Sequence, residues 1–169
     1  HDLRDKTEQA RWEARVAGGE VDIFLLTPPC STWTRSLFSD SPGPPPCRDK
    51  ANPWGFPNAR EETRARARTG NEFVHFSIRM AEAAVQSNAK GATVRVLIEH
   101  PEDLGTTPNG TPASIFQLPG IRVLVDKGKG FMSVARHQCQ FLLDYLKPTR
   151  LVSDVPGMDN FGKVGWPIM

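Results

Sequence analysis

The sequence predicts an open α/β sheet with parallel strands, and three observations carry that reading. Two short apolar runs, Val21–Leu26 and Thr93–Ile98, each give way to a proline-bearing turn. A long segment with helical spacing of its apolar residues lies between them. A strand, a helix and a strand of this length form a right-handed crossover, which sets the two strands parallel and side by side. The length of 169 residues fits one domain and can bury a sizeable core.

The elements follow in chain order. Residues 5–17, DKTEQARWEARVA, are strong helix formers, and Gly18-Gly19 stop them. Val21–Leu26 is short and almost uninterruptedly apolar, so it reads as a central strand buried on both faces. Pro28 and Pro29 cannot continue a ladder and hand the chain to a loop. Cys30 therefore lies just past the carboxyl end of that strand, at the edge where open α/β sheets bind ligands. A thiol there is either a nucleophile or a small buried hydrophobe.

Residues 36–57 are dense in Pro, Gly and Ser and include Arg48, Lys50 and Trp54. A loop this long inside a compact domain is functional or disordered, and it reads here as a mobile flap or as a plain linker. Asn58 followed by Glu61 predicts an N-cap with its capping partner. The helix that follows carries Phe73, Phe76, Met80 and Ala84 at helical spacing and ends at Lys90-Gly91. Gly70 is a place where it can break or kink, and Arg60, Arg64, Arg66 and Arg68 read as a solvated face. Thr93–Ile98 is the second strand, and Glu99-His100-Pro101 follows it. Parallel pairing then places Cys30 and Glu99 at one edge of the sheet on adjacent strands. Thr111-Pro112 opens a short helix over PASIFQL, and Ile121–Val125 is a third apolar run. Val134–Phe141 and Thr149–Val155 read as a hairpin with its turn in LLDYLKP.

Composition narrows the classes. No stretch approaches a membrane span, and the first residues are not a signal peptide. Three cysteines, Cys30, Cys47 and Cys139, have no disulfide-framework spacing, which points to reduced thiols in an intracellular setting. No metal-ligand spacing is present. The net charge is +2, but residues 30–70 and 121–169 each carry seven Lys/Arg against four Asp/Glu. That distribution is compatible with a phosphate-facing side and equally with a solvated surface. The chain opens on His1-Asp2-Leu3 and closes on an apolar Gly165–Met169, so it reads as one partial catalytic domain over 1–169, a piece of a longer protein.

The strand ending in Pro28-Pro29-Cys30, the Glu99-His100-Pro101 turn one crossover later and the late HQCQFLLDYLKPTRL segment together resemble the DNA (cytosine-5) methyltransferases. PPCSTW, NPWGFP, a helix containing Gly-Asn, EHP and KPTR are similar to a divergent branch seen in phage and retroelement-type sequences. The resemblance covers roughly residues 2–155. It implies a Rossmann-like, S-adenosylmethionine-dependent methyltransferase sheet that lacks its N-terminal cofactor-loop strand and ends in a C-terminal β-hairpin. DNA with a flipped cytosine would be the partner, without membrane or metal, in the nucleus if the cell is eukaryotic.

Carried over by position, Cys30 would be the nucleophile that adds to C6 of cytosine, and Glu99 would bond the N3/N4 edge of the base. Lys147 or Arg150 would supply the late basic group. Asp2 would hold the adenine amino group of S-adenosylmethionine, with Pro28 and Pro29 beside that cofactor. Ser31, Arg35, His100 and Pro101 would face the substrate. The sequence departs from the family at His100, which stands where Asn is usual, and in the absent Gly-rich cofactor turn. Two alternatives stand beside this reading: a catalytically silent domain of a mobile element, and a Cys30–His100 thiol enzyme for acyl transfer.

Overall fold

A computed structural model describes residues 2–40, 42–126, 129–141 and 147–165. Helix α1 spans Lys6–Ala17, and the carboxylate of Asp5 caps it by accepting from the Thr7 amide at 2.8 Å. Strand β1 is Ile23–Leu26, helix α2 Glu61–Asn88, strand β2 Arg95–Pro101 and helix α3 Pro119–Asp126. Strands β3 (Met132–His137), β4 (Pro148–Ser153) and β5 (Lys163–Val164) complete one mixed sheet in the order β1-β2-β4-β3-β5. β1 and β2 are parallel with Leu26 opposite Ile98, as the crossover requires. β3 and β4 form the expected antiparallel hairpin, with Val134 opposite Leu151. Its turn, at 142–146, lies outside the described residues. The protein is thus α/β with an open mixed sheet.

The main core lies on one face of the sheet, where Val74, Met80, Ala81 and Ala84 of α2 meet Val96, Ile98 and Val152, with Phe116, Ile121 and Leu124 alongside. On the opposite face a smaller cluster joins Val134, Leu151 and Met158, with Leu97 packed against it. That second layer stops short of β1. Ile23 and Leu25 are 58 % and 62 % exposed, and β1 pairs only with β2 among the described residues. The expectation of a central strand buried on both faces is therefore not met within the described residues, where β1 stands at the sheet edge with one face covered. An unbroken apolar run cannot tell these two cases apart.

Three other expectations change for local reasons. Asn58 does not cap α2, because a turn closed by the Ala59 amide on the Phe56 carbonyl holds that stretch, and Arg60 stands at the N-cap without a side-chain bond. The helix expected over PASIFQL shrinks to one 3-10 turn, Ile115–Gln117, capped by Ser114. Leu118 precedes Pro119 and is held extended, so the turn cannot run on, and Pro119 opens α3 instead. The run Ile121–Val125 lies in that helix.

Gly70 neither breaks nor kinks α2. It is buried where the loop after β1 crosses the helix, and a Cβ there would sit 2.5 Å from Thr32 Oγ1 and 3.1 Å from Arg48 Nη2. The absent side chain lets the loop backbone approach the helix. Arg48, 1 % exposed, enters the gap. Its Nη1 donates to the Pro53 carbonyl at 2.7 Å and to Asn71 Oδ1 at 2.6 Å. Its Nη2 donates to the Ala67 carbonyl at 2.9 Å and to Thr32 Oγ1 at 3.1 Å. The guanidinium lies 3.9 Å from the centre of the Trp33 ring. Nearby, Trp54 stacks on His75 with ring centres 4.3 Å apart.

The long loop expected as a flap is thus anchored at several points. Asn109 donates to the Phe38 carbonyl and to Asp40, Arg66 donates to the Pro45 carbonyl, and Arg48 pins the stretch after Cys47.

Replacing Arg48 by Met strips four acceptors of their donor inside the protein. We expect a loss of about 3 kcal/mol in urea unfolding. Gly70→Ala, which forces Thr32 from the helix, is expected to cost about 2 kcal/mol in the same measurement. A loss below about 0.5 kcal/mol for Arg48→Met contradicts the anchoring role.

Candidate active site at the carboxyl edge of β1 and β2

The carboxyl ends of β1 and β2 face the same way, so the stretch Pro28–Cys30 and the last residues of β2 share one edge of the sheet. The strand expected to stop at Ile98 runs on through Glu99, His100 and Pro101, which pair with β4. Pro28 is buried and Pro29 exposed, and Cys30 is half-buried, its carbonyl accepting from the Trp33 amide at 2.8 Å. That bond curls the chain immediately after the thiol and turns Trp33 inward, while Ser31 stays exposed at the tip.

Strand parity separates Glu99 from His100. Glu99 lies opposite Leu151 and shares the face of the small cluster. Its Oε1 accepts from Lys147 Nζ at 3.3 Å and from Gln138 Nε2 at 3.4 Å. Both of these bonds go to one oxygen. His100 points to the other face, 1 % exposed, with Trp33 and Phe116 edge-on to its ring at 6.5 Å and 6.1 Å between centres. Burial chiefly, with the positive charge of Lys147 in addition, pushes its pKa down to about 3. His100 is therefore a neutral core residue, which is not what a substrate-facing group or a general base needs. Pro101, half-buried, closes β2.

The same parity decides between the two late basic residues. Lys147 sits against Glu99. Arg150 lies opposite His100 and is 3 % exposed. Its Nη2 is 2.8 Å from Glu102 Oε2, its Nη1 donates to Ser133 Oγ at 2.6 Å, and the Gly165 carbonyl also accepts from it. Arg150 is thus engaged in a buried ion pair, and of the two only Lys147 reaches Glu99. Arg35 is likewise engaged: it donates to the Leu104 and Gly105 carbonyls at 2.7 Å and 3.2 Å, tying the turn after Cys30 to the one after Glu99.

Asp2 lies in the exposed turn before α1, where both of its oxygens are held by Arg4. Those hydrogen bonds hold its carboxyl at about 2. A cavity of about 210 Å³ opens between the turn after β1 and α2, lined by Pro29, Ser31, Thr32, Arg66, Thr69, Gly70 and Phe73. Among the described residues no group of three His, Cys, Asp or Glu could hold a metal ion, and no helix is long and apolar enough to cross a membrane.

Sequence reasoning did not single out Gln138, Glu102 or the Arg48–Gly70 contact. Gln138 and Glu102 carry no motif of their own, because their roles follow from strand register. A signal for Arg48 was present in Gly70-Asn71, a glycine and an amide together inside a helix, since both turn out to serve that arginine. No protein-family model, curated protein or solved structure matches the chain.

The buried imidazole fixes the acid response of the fold. The folded chain keeps His100 neutral down to about pH 3, whereas the ordinary value is 6.5. The unfolded chain therefore takes up the extra proton, and stability complete above pH 6.5 is lost as pH falls toward 3. The loss has a slope of up to about 1.4 kcal/mol per pH unit from this one group. Urea unfolding at stepped pH is expected to show that slope below 6.5, and His100→Phe to flatten it.

Proposed function

We propose that the chain acts on a cytosine base through covalent addition of Cys30 to C6, in the manner of a DNA (cytosine-5) methyltransferase. The observation that carries the reading is the shared edge of Cys30 and Glu99, with Lys147 and Gln138 both holding one Glu99 oxygen, Oε1. The Cys30 thiolate adds to C6, and the electron pair of the C5–C6 double bond becomes available at C5. Glu99 accepts from the exocyclic N4, and a solvent proton taken up at N3 beside the same carboxylate offsets the negative charge that addition places on the ring and is returned when the thiolate leaves. Lys147 and Gln138 orient Glu99 through their bonds to Oε1. The base is reached only outside the duplex stack, so a flipped cytosine is the substrate form. The parallel pair closed by a C-terminal hairpin also supports this reading.

S-adenosylmethionine would supply the activated methyl group that C5 takes. Of the residues the resemblance assigns to it, Pro29 fits, because it borders a cavity whose hydroxyls, guanidinium and Phe73 ring suit a polar molecule with an aromatic end. Asp2 does not fit, since Arg4 holds both of its oxygens. The acyl-transfer alternative is disfavoured by His100, which is packed into the core and too weak a base.

Addition at C6 can be read without the methyl donor. C5 of the adduct takes a solvent proton, the original C5 hydrogen leaves as a proton, and expulsion of the thiolate restores the ring. DNA tritiated at cytosine C5 is therefore expected to release tritium to water in the presence of the full-length chain. Cys30→Ser is expected to abolish release, and Glu99→Gln to lower it about 100-fold. Release that survives in Cys30→Ser contradicts the reading. No release from a folded chain that binds DNA favours the catalytically silent domain.

A further inference from the structure

The cavity beside Cys30 has a chemical character that the covalent step does not use. Its lining carries the Arg66 guanidinium and the hydroxyls of Ser31, Thr32 and Thr69, and no carboxylate. Arg64 and Arg68, on the same helix, both reach Glu61, whereas Arg66 meets the Pro45 carbonyl at 3.2 Å and no carboxylate among the described residues. Arg66 therefore brings an uncompensated charge to the cavity wall.

A second observation lies under the floor. Arg48 is buried, its four hydrogen bonds to oxygen go to neutral acceptors (two carbonyls, an amide oxygen and a hydroxyl), and the Cys47 sulfur beside it is a further partner. No carboxylate among the described residues lies within ion-pair distance of it. A buried charge without a counter-ion is costly, and a nearby anion offsets that cost. Arg48 Nη2 sits 3.1 Å from the position a Gly70 Cβ would take, and both Gly70 and Thr32, which accepts from that nitrogen, line the cavity. Having accepted from Arg48, the Thr32 hydroxyl has its own proton free to donate. Trp33 Nε1, buried and without a partner, lies 3.4 Å from the same Gly70 position.

We propose that this cavity is an oxyanion seat beside the nucleophile, with Arg66, Ser31 and Thr32 around the anion and Arg48 as the buried charge behind it. The inference rests on the reading of Cys30 as acting on a nucleic-acid base. Two sources offer such an oxyanion to this place: a backbone phosphate of the polynucleotide, and the amino-acid carboxylate of the methyl donor.

The test uses Arg66→Gln with Arg64→Gln as a control of equal charge, both in the full-length chain. In one arm, binding of a DNA duplex is followed against salt. A seated phosphate predicts that Arg66→Gln weakens binding several-fold and lowers the slope of log K against log salt by about one, while Arg64→Gln leaves the slope in place. In the other arm, S-adenosylhomocysteine is compared with 5′-methylthioadenosine, which lacks the amino-acid end. A seated carboxylate predicts that Arg66→Gln weakens only the former, about tenfold. Ser31→Ala is expected to weaken the same ligand as Arg66→Gln without a change of charge. The proposal is overturned when neither arm responds, when Arg64→Gln matches Arg66→Gln, or when the unaltered chain binds neither ligand. A responsive arm without tritium release would leave the seat standing and remove the reading of Cys30.

Discussion

Arg48 is the group on which the rest of the site's architecture depends. It is a full charge inside the protein, and it is tolerable there because four acceptors converge on it and the Trp33 ring covers one face. Those acceptors come from the turn after β1, from the proline-rich loop and from two successive turns of α2. One side chain therefore fastens the turn and the proline-rich loop to α2. The approach is possible only because residue 70 has no Cβ, so the glycine and the arginine form one device. Its consequence at the sheet edge is a Cys30 turn whose next residues, Thr32 and Trp33, are fixed from behind.

The second organising fact is the alternation of β2. A single strand carries Glu99 to one face and His100 to the other. The first face is polar and partly open, with Lys147 and Gln138 around the carboxylate. The second is closed by Trp33, Phe116 and the Arg150–Glu102 pair. The two faces have separate chemistries: one suits contact with a ligand, the other holds the strand ends in place. Arg35 supports the arrangement by tying the turn after Cys30 to carbonyls beyond β2.

The parallel pairing of β1 with β2, the length of the crossover and the terminal hairpin were legible in the sequence, because each follows from an apolar period or a proline stop. The placement of Glu99 on the strand beside the one that leads to Cys30 was legible for the same reason. Burial of β1 was not, since an apolar run looks the same on an edge as in the middle of a sheet. The choice between Lys147 and Arg150 depended on register, and one residue of slip exchanges the two faces. The proline-rich loop was misleading in its composition. Pro, Gly and Ser indicate irregular backbone, and they do not indicate whether hydrogen bonds from Asn109, Arg66 and Arg48 hold that backbone down.

The claim that the loop is a fixed wall, with the Cys30 turn held in front of it, is tested most directly by thiol reactivity in the native protein. Cys30 is half-buried at the edge, and Cys47, next to Arg48, is fully buried. Brief treatment with iodoacetamide followed by peptide mass spectrometry is predicted to label Cys30 and to leave Cys47 unmodified until denaturant is added. Labelling of Cys47 as fast as Cys30 in the native state would mean that the loop opens freely, and would contradict the account.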